Sequence, residues 1–141
     1  MKDRIFFYTI FIGLLMVGLV AVQACQPEPA SATLSDTEWR LVTIGKTSVM
    51  ADTEITLRFA DGDVSGNAGC NGYFARYETK GDSLTFDAVG MTEMWCMEPE
   101  GLMDQETRYL QTLPNAESYS IANGKLTIYL SDGDQLIFEA L

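Results

Sequence analysis

Histidine is absent from the 141-residue chain. That removes the side chain that most often serves as general base near neutral pH and as metal ligand. Ser-His-Asp and Cys-His catalysis and the HExxH zinc site are excluded with it. Cations are scarce as well: nine Lys and Arg stand against 20 Asp and Glu, giving a formal charge of −11 and an isoelectric point near 4.2. Such a surface repels phosphate backbones and lacks the counterion-releasing contacts on which nucleic-acid binding depends, so DNA and RNA are poor partners. Cysteine is limited to three residues, with no Cys-x-x-Cys. Internal repeats are missing too, and the length leaves room for one domain. Hydrophobic residues make up 47% of the chain, enough for a packed core rather than a disordered segment.

Much of that apolar content sits at one end. Residues 5–22 form an uncharged run of 18, preceded by Lys2 and Arg4 and followed by Gln23-Ala24-Cys25. A charged start, an apolar stretch and a small residue before a cut site make a secretory signal. The run reaches the ~18-residue threshold for a membrane span, so an uncleaved anchor is the competing reading. Val22-Gln23-Ala24-Cys25 resembles a bacterial lipobox, which favours cleavage before a lipidated Cys25. The expected organisation is a lipoprotein signal peptide at 1–24, a lipidated cysteine with a flexible tether at 25–33, and a domain at 34–141. The tether reads from Pro, Ala, Ser and Thr without apolar periodicity. Loss of Lys2, Asp3 and Arg4 leaves 117 residues with seven cations and 19 anions, a formal −12. Gln26, in place of Asp after the cysteine, resembles sorting to the outer membrane, facing the periplasm.

The domain alternates short strand-like runs with turn signals. Residues 39–44 form a first strand; Ile55, Leu57 and Phe59 alternate with polar neighbours, and Asp61-Gly62 turns the chain towards Val64. Residues 74–78 meet 83–86 across Lys80-Gly81-Asp82. Tyr119 and Ile121 lead through Asn123-Gly124 to Leu126, Ile128 and Leu130, and Asp132-Gly133 turns into Leu136 and Phe138. Hairpins in series favour antiparallel pairing. From about residue 100 to 113 the period changes: Leu102, Met103, Tyr109, Leu110 and Leu113 mark an amphipathic helix, with Pro99 placed in its first turn and Pro114-Asn115 ending it. The expected fold class is α+β: a strongly bent, barrel-like antiparallel sheet with one helix packed against it.

Four features carry candidate chemistry. The loop Ser65-Gly66-Asn67-Ala68-Gly69-Cys70-Asn71-Gly72 can form an anion nest, but lacks the Lys-Ser/Thr and following helix of a phosphate loop. Its simpler account is a bulge or corner whose glycines allow unusual backbone and whose Asn side chains satisfy main-chain groups. Cys70 and Cys96 remain once Cys25 is committed to lipid. A structural disulfide, two buried free thiols and a functional thiol pair all fit an exported chain; a disulfide closing about 27 residues contributes roughly 3.5 kcal/mol in the chain-entropy model. Asp61-Gly62-Asp63 and Asp132-Gly133-Asp134 do not continue as calcium loops and read as hairpin turns. Met91-Thr92-Glu93-Met94-Trp95-Cys96-Met97 is adaptable apolar surface: core packing is its plain account, a binding groove at Met94 and Trp95 its sharper one. No metal site and no cofactor are expected.

Taken in order, Trp39-Arg40-Leu41-Val42, Gly66-Asn67-Ala68-Gly69-Cys70-Asn71, Thr92-Glu93-Met94-Trp95-Cys96, and Glu106 followed by Tyr109-Leu110 resemble the META domain family of HslJ-like heat-shock proteins. The resemblance runs from about residue 33 to 141, with Ala75 and Trp95 departing from residues frequent there. It implies a bent antiparallel barrel with one helix, and an envelope lipoprotein associated with stress or novobiocin-type antibiotic tolerance. Gly66, Asn67, Gly69, Asn71, Thr92 and Glu106 are then structural motif residues, and no catalytic residue is implied. The expected function is a monomeric, non-enzymatic domain, anchored to the membrane by lipid, that binds an unidentified envelope protein. A barrel holding a small apolar ligand and an inhibitor of a secreted hydrolase are the alternatives.

Overall fold

The computed structural model describes residues 33–141; the expected signal peptide, Cys25 and the expected tether up to residue 32 lie outside the described residues. The strands are β1 (Thr37–Ile44), β2 (Thr47–Ser48), β3 (Thr56–Ala60), β4 (Asp63–Asn67), β5 (Gly72–Lys80), β6 (Ser83–Met91), β7 (Ala116–Ala122), β8 (Lys125–Leu130) and β9 (Gln135–Ala140). The helix among the described residues is α1 (Leu102–Thr112), continued by a 3-10 turn at Leu113–Asn115. Strands pair in the order β2-β1-β3-β4-β5-β6-β7-β8-β9, and β9 pairs again with β1, so eight strands close an antiparallel barrel with β2 appended to β1. The bent barrel and single helix expected from the sequence are both present.

Period-two patterning directs the side chains. Leu57 and Phe59 of β3, Leu126 and Ile128 of β8, and Leu136 and Phe138 of β9 are fully buried while their neighbours face outward. Each such side chain contributes roughly 1.5–3 kcal/mol by leaving water. The hairpin dipeptides act as their composition requires. Asp61 and Gly62 take φ of 51° and 85°, and Asn123 and Gly124 take 52° and 72°. Two consecutive positive φ values give the turn whose twist matches the flanking strands. At the third turn Asp132 Oδ1 accepts the Asp134 N–H at 2.9 Å, so both Asp-Gly-Asp segments are turns.

The barrel is weakest between β6 and β7, which pair in register only at Ser83 and Ser118. A register shift opposite β5, with Ala88 at φ 54°, bends the end of β6 away from β7. Residues of α1 and of the 3-10 turn close the gap: Tyr109, Leu110 and Leu113 enter the core. The helix starts later than its periodicity predicts. Gly101 has φ 88°, a left-handed backbone that a helix cannot include, so Pro99 precedes α1 and its carbonyl accepts the Leu102 N–H at 3.1 Å.

Candidate functional site

The Gly-rich loop between β4 and β5 meets α1 through one carboxyl group. Glu106, on the inward face of the helix and 1% exposed, accepts hydrogen bonds from the Cys70 N–H at 3.0 Å and the Asn71 N–H at 2.7 Å through Oε2. Its Oε1 accepts from Asn71 Nδ2 at 2.6 Å. Two main-chain donors and one side-chain donor that would otherwise be buried without partners are thereby satisfied. Asn67 serves the same loop from the other side, its Oδ1 accepting the Gly69 N–H at 2.6 Å. Gly69 has φ 122°, and Gly66 has no room for a side chain, because a Cβ there would stand 2.0 Å from the Thr56 carbonyl oxygen.

Asn71 carries the connection onward. It is fully buried, and its carboxamide pairs with the Met94 backbone in both directions: Oδ1 accepts the Met94 N–H at 2.7 Å and Nδ2 donates to the Met94 carbonyl at 3.0 Å. Thr92 Oγ1 donates to the same Oδ1 at 2.7 Å. With Glu106 on Nδ2, every donor and lone-pair direction of this amide is used. One side chain thus replaces a strand in holding the 92–98 segment against the barrel rim. The Cys70–Cys96 disulfide, with Cα atoms 5.9 Å apart, adds a covalent tie two residues beyond Met94. Of the three readings of these cysteines, the structural disulfide is the one found.

The segment so held is not core. Trp95 is 79% exposed and Met97 80%, with Met94 and Met91 about half exposed. The expectation that residues 91–97 pack inside is corrected: the interior is already filled by the inward residues of β3, β8, β9 and by Tyr109, and both ties hold the segment outside it. Met94 and Trp95 therefore stand on a displayed loop and not within a cavity of the sheet. Beside the loop, an open groove between β6 and α1 is lined by Val89, Met91, Met103, Leu110 and Pro114. Three acidic residues, Glu93, Glu98 and Glu100, border the loop, and no Lys or Arg lies between 91 and 107.

Beneath the loop lies a pair of phenols. Tyr73 Oη donates to the Thr56 carbonyl at 2.8 Å, so in the 2.6 Å contact between the two hydroxyls Tyr109 is the donor. Burial pushes both hydroxyls above the ordinary tyrosine range; the bond from Tyr109 partly opposes this at Tyr73 and adds to it at Tyr109. The rings meet edge-on with centroids 5.5 Å apart. Both side chains are buried, and the Tyr73 ring packs under Gly66.

The structure brings Gly66, Asn67, Gly69, Asn71, Thr92, Cys70, Cys96 and Glu106 into one assembly, and places Met94 and Trp95 on its outer surface. Cys25 lies outside the described residues. Sequence reasoning missed Gln105, whose Oε1 accepts the Met50 N–H at 2.7 Å and whose Nε2 donates to Thr53 Oγ1 at 3.0 Å, pinning the segment before β3 to the helix. The available signal was its place next to Glu106 on the inward side of the helix. Among the described residues no group of three or more Asp, Glu or Cys is arranged to hold a metal ion, and no helix is long and apolar enough to cross a membrane.

Comparison with known proteins gives a family and a fold. The model of the META domain family matches residues 32–141. The chain is similar to a protein from Burkholderia xenovorans solved by NMR, with 28% identity and a TM-score of 0.65 over 84% of this chain and 94% of that one. A second NMR structure shares 19% identity at a TM-score of 0.61, covering 75% of this chain and 90% of that one. A DUF4847 family protein from Bacteroides vulgatus, a crystal structure, shares 13% at 0.52, covering 76% and 93%. The last two likenesses establish the fold alone. No curated protein matches the chain.

Proposed function

The chain belongs to the META domain family, and we propose that it is a lipid-anchored, non-enzymatic domain of the bacterial envelope that binds a partner protein through its 91–97 loop. The observation that carries this reading is the display of Trp95 and Met97, about four-fifths exposed, on a loop fastened by a disulfide and by Asn71. Large apolar side chains held rigidly in water are a cost to an isolated domain and a gain to one that docks.

Lipidation at Cys25, an outer-membrane position facing the periplasm, a monomeric state and a part in heat-shock or novobiocin-type tolerance belong to the same proposal. They are supported by the N-terminal pattern and the family likeness. A secreted hydrolase inhibited by the loop is one form such partner binding could take. A small apolar ligand is the second reading: with the interior filled by side chains, it would lie in the groove between β6 and α1. In-cell photocrosslinking from position 95 tests the proposal. Recovery of one envelope protein, lost on competition with the native chain, supports it. Purified protein that turned over a peptidoglycan or ester substrate would refute the non-enzymatic reading, and crosslinks no different from those of an unrelated surface position would refute the loop.

A further inference from the structure

We infer that the displayed loop is a binding site for a soft monovalent cation, Cu(I) or Ag(I), held by the thioethers of Met91, Met94 and Met97. The inference goes beyond partner binding and stands whether or not a protein docks there. Three methionines recur at every third position within seven residues, and all three are exposed. In a core such spacing would be packing; on a surface, neutral polarisable sulfurs gain little from water. Thioethers are soft ligands that select Cu(I) and its analogue Ag(I) over hard or borderline ions. The backbone under them is fixed at three points: Met91 pairs with Tyr73, Met94 is bonded on both sides to Asn71, and Met97 follows the Cys70–Cys96 bridge. Fixed bases with unbranched arms suit convergence on one ion at small entropic cost.

The surroundings point the same way. The described residues hold five methionines, and the other two, Met50 and Met103, stand near the start of α1. Met103 lines the same groove as Met91, and Met50 Sδ comes within 3.8 Å of where a Cβ on Gly101 would stand. Glu93, Glu98 and Glu100, with no Lys or Arg from 91 to 107, give the loop a negative potential that attracts cations. Trp95 lies between Met94 and Met97 in the sequence and is exposed, so its indole reports on events at the loop. Both sulfurs at Cys70 and Cys96 are committed to the disulfide, so no thiolate within the described residues competes. Coordination replaces water around the ion and moves no electron or proton.

The full chain in detergent, with free thiols blocked by iodoacetamide, is titrated with silver nitrate in chloride-free buffer. Native mass spectrometry counts bound ions and Trp fluorescence follows occupancy. The expected result is a single Ag(I) per chain with quenched emission. Met91→Leu/Met94→Leu/Met97→Leu, a volume-conserving change at exposed positions, abolishes it, while Glu93→Gln/Glu98→Gln keeps the stoichiometry. Circular dichroism checks the fold of each variant; if the triple variant is unfolded, Met97→Leu alone must weaken binding about tenfold. Absence of bound Ag(I), binding undiminished by the leucine changes, or equal occupancy by Zn(II) would overturn the site. Each of these leaves the crosslinking result untouched, so the two readings of the loop fail separately.

Discussion

Replacing Glu106 by alanine removes the carboxyl group that joins α1 to the Gly-rich loop. The Cys70 N–H, the Asn71 N–H and one Asn71 Nδ2–H lose their acceptor in a place where the glutamate itself is 1% exposed. Each buried donor left unsatisfied costs about 1–3 kcal/mol. Water entering the vacated volume recovers part of that, so the expected loss is about 3–5 kcal/mol, a large share of the roughly 5–15 kcal/mol typical of a whole domain. With a urea slope near 1.5 kcal/mol/M, the unfolding midpoint of the oxidised protein falls by about 2–3 M. Glu106→Gln keeps one acceptor but turns an amide N–H towards a donor, and costs about 1–3 kcal/mol. Urea unfolding followed by far-ultraviolet circular dichroism measures both. A double-mutant cycle with Asn71→Ala should show coupling of about 1 kcal/mol or more, because the two side chains share a bond. A Glu106→Ala variant destabilised by under about 1 kcal/mol, with no coupling to Asn71, would refute the clamp.

Gly66→Ala drives a Cβ to 2.0 Å from the Thr56 carbonyl oxygen and 2.9 Å from a Tyr73 ring carbon. Neither the strand nor the buried ring gives way cheaply, so a loss of about 2–3 kcal/mol and a fall of roughly 10 °C in Tm are expected by calorimetry; an unchanged Tm would contradict the tight approach. Tyr73 and Tyr109 are raised by burial above the ordinary value of about 10, so their contribution is complete below that pH and is lost as pH climbs towards the higher folded values. The urea midpoint should therefore decline above pH ~10, less steeply in Tyr73→Phe/Tyr109→Phe; two tyrosines should show their 295 nm ionisation only on unfolding, and their ionisation near pH 10 in the native state would contradict this. Thr43 Oγ1 is buried in the β1 bulge without a hydrogen-bond partner among the described residues. Thr43→Val is expected to be neutral or to stabilise by up to about 1 kcal/mol in urea, and a clear loss would mean the hydroxyl is satisfied.

The strands were legible because a half-buried strand must alternate, and the turns because Asp61-Gly62 and Asn123-Gly124 suit a backbone that most residues avoid. Closure of the barrel was not, since pairing of β1 with β9 depends on accumulated twist and stagger, which no local pattern encodes. The helix was legible from Leu102, Tyr109 and Leu110, but its start was misjudged because Pro99 is equally at home just before a helix. At the site, family likeness picked out Gly66, Asn71, Thr92 and Glu106 without revealing their geometry. A helical glutamate ordinarily belongs in water, so its burial under the loop had no signature of its own. Residues 91–97 misled for the opposite reason. Hydrophobicity says what a segment would prefer to touch, not which side of a disulfide and an asparagine amide it is held on.

Central to the account is that Asn71, seated on Glu106, fastens the displayed loop by standing in for a strand. The Met94 amide reports on that bond directly, because its N–H acceptor is Asn71 Oδ1 at 2.7 Å. Native-state hydrogen exchange of the oxidised protein, resolved by residue, should show Met94 protected in the native chain. In Asn71→Ala it should exchange fast while Leu57 and Ile128 in the barrel stay slow. Fast exchange at Met94 in the native chain, or protection unchanged by Asn71→Ala, would contradict the account.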